Sequence, residues 1–467
     1  MSTGQPGLAT LPPRPEVQPA EPWEFPGARR GELPNGMTTV AYDIPGQYVL
    51  SLRVAFHAPL RLEPRDREGV GTIMARTMDE GTRSHDADEM AEALERAGIA
   101  VGAGMAESGL VVDVDVAPRH FARALELLTE FLSEPAFPEA EVARHVRARL
   151  AEIEHERAAP GSRAALEFLR TYFQPSERAA RPAAGARDTV ARITRDDVAA
   201  FHARHVHPDR ATLVVAGDLS GLDVDAQLAA TLGAWTTTPP VEEDPAPDPG
   251  AHRARASRRR RDDAARIVFV DRPGSVQTEL YVGCPGPDRR TKGGWSAYSV
   301  LGFVLGGSPN ARIDAVLREE KGFTYGIRSG FRPHHRGGLF LTSGSVRADS
   351  TAESLGLLLD ILDGAREGFT EEEAREGVDY VGRTAPGRFA TSDAVADEAA
   401  LLALDGLTTD FTSQTLAGLA DLDAQALGDA YDRYVTGEWT VIVVGDAKEY
   451  ADPVRRLRRG DVTVVPA

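Results

Sequence analysis

Two spacings of apolar residues alternate along this chain, a two-residue period and a helical one. Residues 38–43 and 49–56 alternate as strands do. A helix is predicted over 70–79. Another opens at Asp86, an N-cap residue with Glu89 three positions on and Met90 and Leu94 on one face. Leu110, Val112, Val114 and Val116 define a strand with one buried face, and Phe121, Leu125, Leu128 and Leu132 follow at helical spacing. Later residues repeat this order: strands at 277–282 and 338–345, a helix at 355–362, and a capping box formed by Thr370 and Glu373.

The repetition has a fixed offset. Asp43-Ile44-Pro45-Gly46 is answered by Asp271-Arg272-Pro273-Gly274. The strand ending Val215-Ala216-Gly217-Asp218 is answered by Val443-Val444-Gly445-Asp446, and both pairs lie 228 positions apart. Long-range self-similarity of this kind marks duplication. Between the copies, 237–265 is rich in Pro, Asp, Ala and Arg without apolar periodicity, and reads as a linker. The reading is α+β: a disordered Pro-rich tail at 1–29, homologous domains at 30–236 and 266–460, and in each a mostly antiparallel sheet with helices packed on one face.

Composition narrows the function classes. A net charge of −18 argues against nucleic acid as a partner, and the basic run 258–261 falls inside the linker. No apolar run reaches the roughly 18 residues of a membrane span. The N-terminal stretch lacks the basic start and apolar core of a secretory signal. The single cysteine, Cys284, fits a reducing cytoplasm and excludes a cysteine-built zinc cage. Neither a G-x-S-x-G elbow nor a phosphate-binding glycine loop is present. His202, His205 and His207 approach ligand spacing, as do the adjacent His334 and His335, but no acidic residue or cysteine nearby completes a set.

The segment 306–327, GGSPNARIDAVLREEKGFTYGI, carries the candidate chemistry. Ile313 and Leu317 sit one turn apart, so Arg318 falls near a helix C-terminus. Gly322 then stops the helix, and 323–327 begins a strand. Arg318 and Tyr325 are thereby aimed from a helix end and a strand start. The bland alternative makes Arg318 a helix-end charge and Tyr325 a core residue. Arg312, Lys321 and Arg328 read as solvated or structural.

This segment resembles the substrate-gripping motif of the pitrilysin/insulinase (inverzincin) metallopeptidases. The first half is similar to their N-terminal domain, through Leu33-Pro34-Asn35-Gly36 and through Gly69-Val70-Gly71 leading into a helix that ends Glu80-Gly81-Thr82. Active members carry H-x-x-E-H on that helix, two imidazoles on zinc and a glutamate base. Counting back from Gly81-Thr82, those positions are Thr72, Ala75 and Arg76. Alignment on Glu152-Ile153 and Pro160 puts His145 in the slot of the third ligand, a glutamate in the family. The degenerate positions Thr72, Ala75, Arg76 and His145 imply no catalytic zinc in this chain.

What the resemblance implies is a divided enzyme. One bacterial branch of the family, related in this to mitochondrial processing peptidase, pairs a zinc-carrying chain with a homologous chain that lacks the metal. Each forms one half of a clam-shell around a peptide substrate. By that resemblance Arg318 and Tyr325 are supplied in trans to the partner's zinc site, and the isolated chain is inert. The alternative is a non-catalytic structural or chaperone-like peptide-binding member of the same superfamily.

Overall fold

A computed structural model describes residues 23–237, 266–334 and 337–466. The expected linker lies almost wholly outside the described residues, as do 1–22 of the expected tail. Twelve strands are found among them: β1 (Arg29–Glu32), β2 (Thr38–Asp43), β3 (Leu50–Phe56), β4 (Ala100–Ala106), β5 (Gly109–Val116), β6 (Ala211–Gly217), β7 (Arg266–Asp271), β8 (Gln277–Gly286), β9 (Arg328–His334), β10 (Gly337–Arg347), β11 (Thr440–Gly445) and β12 (Asp461–Pro466). The helices that matter below are α1 (Val70–Thr77), α2 (Ala87–Ala97), α3 (Phe121–Ser133), α4 (Glu139–Ala158), α5 (Pro160–Tyr172), α6 (Arg195–His205), α7 (Ser296–Gly302), α8 (Thr351–Gly364), α9 (Glu371–Arg388), α10 (Ser392–Leu404) and α11 (Ala424–Tyr434).

The strands form two six-stranded sheets, ordered β1-β2-β6-β3-β5-β4 and β12-β7-β11-β8-β10-β9. Five strands of each correspond, and the register repeats with them. Thr38 faces Thr212 in the first sheet, and Arg266 faces Thr440 in the second, both in parallel pairs. The sixth strands differ. β1 comes from the beginning of the first half and runs antiparallel to β2, whereas β12 follows the second half and runs parallel to β7.

One face of each sheet packs against helices of its own half. The opposite face receives a helix from the other half. Val395, Ala396, Ala399 and Ala400 of α10 cover Tyr42, Ala55, Val214 and Ala216 of the first sheet. Reciprocally, Ala164, Phe168 and Tyr172 of α5 cover Val268, Leu341 and Ile442 of the second. This exchange explains why β3 is buried along its whole length rather than alternately. Gly283 on β8 is a packing requirement, since a Cβ there would meet the Phe168 ring at 2.5 Å. Polar contacts fix the α10 side of the exchange: Arg53 donates to Asp397 at 2.5 Å and to Asp115 at 3.2 Å.

Two boundaries move. Residues 23–28 are not a loose tail, because Trp23 stacks on Phe389 and Phe25 is buried edge-on to Tyr42. The second half extends past 460 into β12. In both places a short apolar segment finds a surface made by distant residues, which local composition cannot register.

Candidate functional site

Helix α1 is fixed at its start by a buried carboxylate. Glu63 accepts hydrogen bonds from the backbone N–H groups of Gly69 and Gly71, both at 3.1 Å, and Arg178 donates to its other oxygen at 2.8 Å. This satisfies helix-end donors that would otherwise be orphaned. Burial raises the Glu63 pKa in spite of these partners. Gly69 has φ of 102°, and a Cβ there would sit 2.8 Å from the Ala184 carbonyl oxygen. Ile73 and Met74 then anchor α1 in the core.

Of the three positions that correspond to H-x-x-E-H, Thr72 is half-buried, Ala75 is buried, and Arg76 reaches across to α4. Its two terminal nitrogens donate to the two oxygens of Glu152 at 2.7 and 3.0 Å, a forked pair. Arg149 donates to the same carboxylate at 3.1 Å and binds Glu156 at 2.5 and 3.0 Å. Arg76 holds the Glu152 carboxyl below the usual carboxylate range; burial opposes this and Arg149 adds to it. The residues do not fit zinc. A permanent cation occupies the carboxylate fork, and positions 72 and 75 offer no imidazole or carboxylate.

His145 is not brought to Arg76. Its Nε2 lies 2.7 Å from Glu80, which Arg144 also binds. The α4 residue that faces position 76 is Glu152, used in the sequence reading only as an alignment anchor. Its pairing with Arg76 runs between two helices, so spacing along α4 gives no signal for it.

The 306–327 segment folds differently from its expected strand start. It leaves α7 through a π-helical turn, Phe303–Gly307, where a Cβ on Gly306 would come within 2.7 Å of Ser329. A second π-helical turn, Ala315–Glu320, carries Arg318. Gly322, at φ of +64°, ends it, donating its N–H to the Arg318 carbonyl at 3.0 Å. Residues 323–327 are a loop, and β9 begins only at Arg328. Phe323 keeps backbone bonds, its N–H donating to the Leu317 carbonyl and its carbonyl accepting from Arg347 N–H, both at 2.9 Å, but the next two bonded N–H groups go to side chains. Gly326 N–H donates to Thr324 Oγ1 at 3.0 Å, and Ile327 N–H donates to Asp314 Oδ1 at 2.8 Å. Asp314 is fully buried and also accepts from Arg328 at 3.0 Å.

This pinned loop holds Tyr325 outward, with 93% of its surface exposed. Arg318 is partly exposed, and its ion pair is with the adjacent Glu319, at 3.5 Å. The neighbouring basic residues are structural. Arg312 forks onto Glu373 at 2.5 and 2.7 Å and lies over the Phe369 ring, and Lys321 lies 3.5 Å from Glu353. Next to the loop, β9 is an edge strand bonded to β10 on one side only within its sheet.

The histidines serve separate contacts. His202 bonds the Leu132 carbonyl at 3.0 Å, His207 bonds Thr237 at 3.0 Å, and His205 packs on Phe201. Burial lowers the His202 pKa to about 4. Among the described residues no three His, Cys, Asp or Glu side chains gather as a metal site. His335 and the side chain of His334 lie outside the described residues.

Two α+β halves with matching strand order make up the described residues. The profile of the insulinase family (peptidase family M16) matches residues 39–186, and that of the peptidase M16 inactive domain matches 192–379. The chain belongs to the insulinase (M16) peptidase family. It is 26% identical over 351 residues to an uncharacterized zinc protease of Streptomyces coelicolor, spanning 75% of this chain and 74% of that one. A crystal structure of a peptidase M16 inactive domain from Pseudomonas fluorescens superposes with a TM-score of 0.79 at 21% identity, over 90% of this chain and 98% of that one. A protease from Helicobacter pylori gives 0.80 at 16% identity, over 90% and 100%. Among the described residues no helix is long and apolar enough to cross a membrane.

Proposed function

We propose that this chain is the zinc-less subunit of a heterodimeric zinc metallopeptidase of the M16 family, acting in the cytoplasm on peptides. It contributes Arg318 and Tyr325 to the zinc site of a homologous partner. The observation that carries this reading is the contrast between Arg76, closed onto Glu152, and Tyr325, held in solvent by a loop pinned through Thr324, Gly326 and Ile327. A tyrosine serving the core would be buried. An exposed phenol on a rigid loop is available to another chain.

Each residue type suits its role. The Arg318 guanidinium is a permanent forked donor for a substrate carbonyl or carboxylate. The Tyr325 hydroxyl donates a hydrogen bond to the oxyanion that forms when the scissile carbonyl is attacked, and one such donor is worth about 3–4 kcal/mol. The partner's zinc supplies the activated water. The edge of β9 gives an extended peptide a row of backbone groups beside these side chains.

The test is co-expression with an H-x-x-E-H homologue followed by a peptide-cleavage assay. Wild type is expected to restore cleavage that neither chain shows alone, and Tyr325→Phe and Arg318→Ala to lose most of it. Restored peptide binding without cleavage would favour the chaperone-like alternative.

A further inference from the structure

A cavity of about 860 Å³ opens between α5 and the paired strands β7 and β12, sharing no lining residue with α1 or with 306–327. Its wall carries five guanidinium groups, from Arg65, Arg163, Arg170, Arg181 and Arg266, and one carboxylate, Glu167. That sign is inverted relative to a chain whose net charge is −18. Arginine does not escape repulsion by losing its proton, so like charges collected in a concavity require counter-anions.

Arg266 has a partner of its own, and internal pairing leaves charge unmatched at Arg65 and Arg170. Arg181 forks onto Glu68 at 2.7 and 2.8 Å, and Arg163 donates to Glu167 at 2.7 Å. Arg170 lies 4.0 Å from that same, already engaged Glu167. Arg65 has no carboxylate within ion-pair distance among the described residues. Val268 and Val465 add an apolar side. Guanidinium forks match phosphate oxygens, and the volume suits a nucleotide-sized molecule.

We propose that this cavity binds a small ligand carrying several phosphate groups. The inference is independent of the peptidase reading.

The test is calorimetric titration of the full chain with sodium tripolyphosphate at about 50 mM salt, alongside ATP and a tri-glutamate peptide. Tripolyphosphate and ATP are expected to bind with Kd on the order of 10 μM. Binding should weaken at least about tenfold in Arg65→Ala/Arg170→Ala and be unchanged in Arg96→Ala, an exposed arginine on α2. Arg170 is 78% exposed in its side chain, and Arg65 is also exposed, so the double variant is expected to fold; unchanged circular dichroism checks this. Bound ligand should also raise the Tm of wild type but not of the double variant. No heat of binding, equal affinity in the double variant, or tighter binding of the glutamate peptide would each overturn the proposal.

Discussion

Arg76 and Arg318 are both arginines in the segments that carry the family resemblance, and the fold treats them oppositely. Arg76 is forked onto Glu152 inside a network that continues through Arg149 to Glu156. Among the described residues Arg318 has only its sequence neighbour Glu319 as an ion partner, and Tyr325, further along the same segment, is exposed to solvent. The first arrangement satisfies its charge within the protein, and the second leaves its side chains open to solvent. Charge alone therefore identifies neither; what distinguishes them is whether the protein supplies the counter-charge itself.

The largest effect is expected where the open site is built. Asp314→Ala removes the acceptor for the buried Ile327 N–H and the partner of Arg328, and should cost about 2–4 kcal/mol in urea denaturation. It should also release the Tyr325 loop to proteolysis. A cost under about 0.5 kcal/mol would mean that the loop is pinned by something else.

The closed site is expected to respond less. Arg76→Met should cost no more than about 1 kcal/mol, because Arg76 and Glu152 are 35% and 42% exposed in their side chains and water screens the pair. The variant should not acquire stoichiometric zinc by metal analysis, since positions 72 and 75 still offer no imidazole or carboxylate ligand. A tightly zinc-binding variant would show that Arg76 alone had blocked a latent site.

The pH dependence sharpens the same point. The folded pKa of Glu152 lies below its unfolded value, so its contribution is present above the ordinary glutamate range and is lost as pH falls through the folded value. The Tm difference between wild type and Arg76→Met should therefore be full at pH 7 and shrink below about pH 4.5. A difference that grows in acid would contradict the pairing. Smallest of all, Tyr325→Phe should leave stability within about 0.5 kcal/mol, because the phenol touches little.

Much of the scaffold could be read from periodicity. The capping boxes at Asp86 and Thr370, the alternation of β5 and the 228-residue offset all correspond to observed elements, because each depends on local chemistry. The exchange of α5 and α10 could not be read in this way. An amphipathic helix shows that it has an apolar face but not which sheet receives it. The Tyr325 loop reads as a strand start for a related reason. Phe323 to Ile327 has strand-like residues, but the bonds that Asp314 and Thr324 offer its backbone displace the ladder. Glu152 is not legible in the sequence because its importance lies in facing Arg76 across two helices, a relation that spacing along one helix does not express.

The central claim is that cleavage belongs to a pair, with this chain supplying the exposed donors. It is tested most directly by the initial cleavage rate of a quenched peptide when the chain is mixed with a homologue carrying H-x-x-E-H. Wild type should support cleavage, and Tyr325→Phe should reduce kcat about 10²- to 10³-fold while the two chains still associate. Cleavage at the wild-type rate by the Tyr325→Phe mixture, or zinc-dependent cleavage by this chain alone, would contradict it.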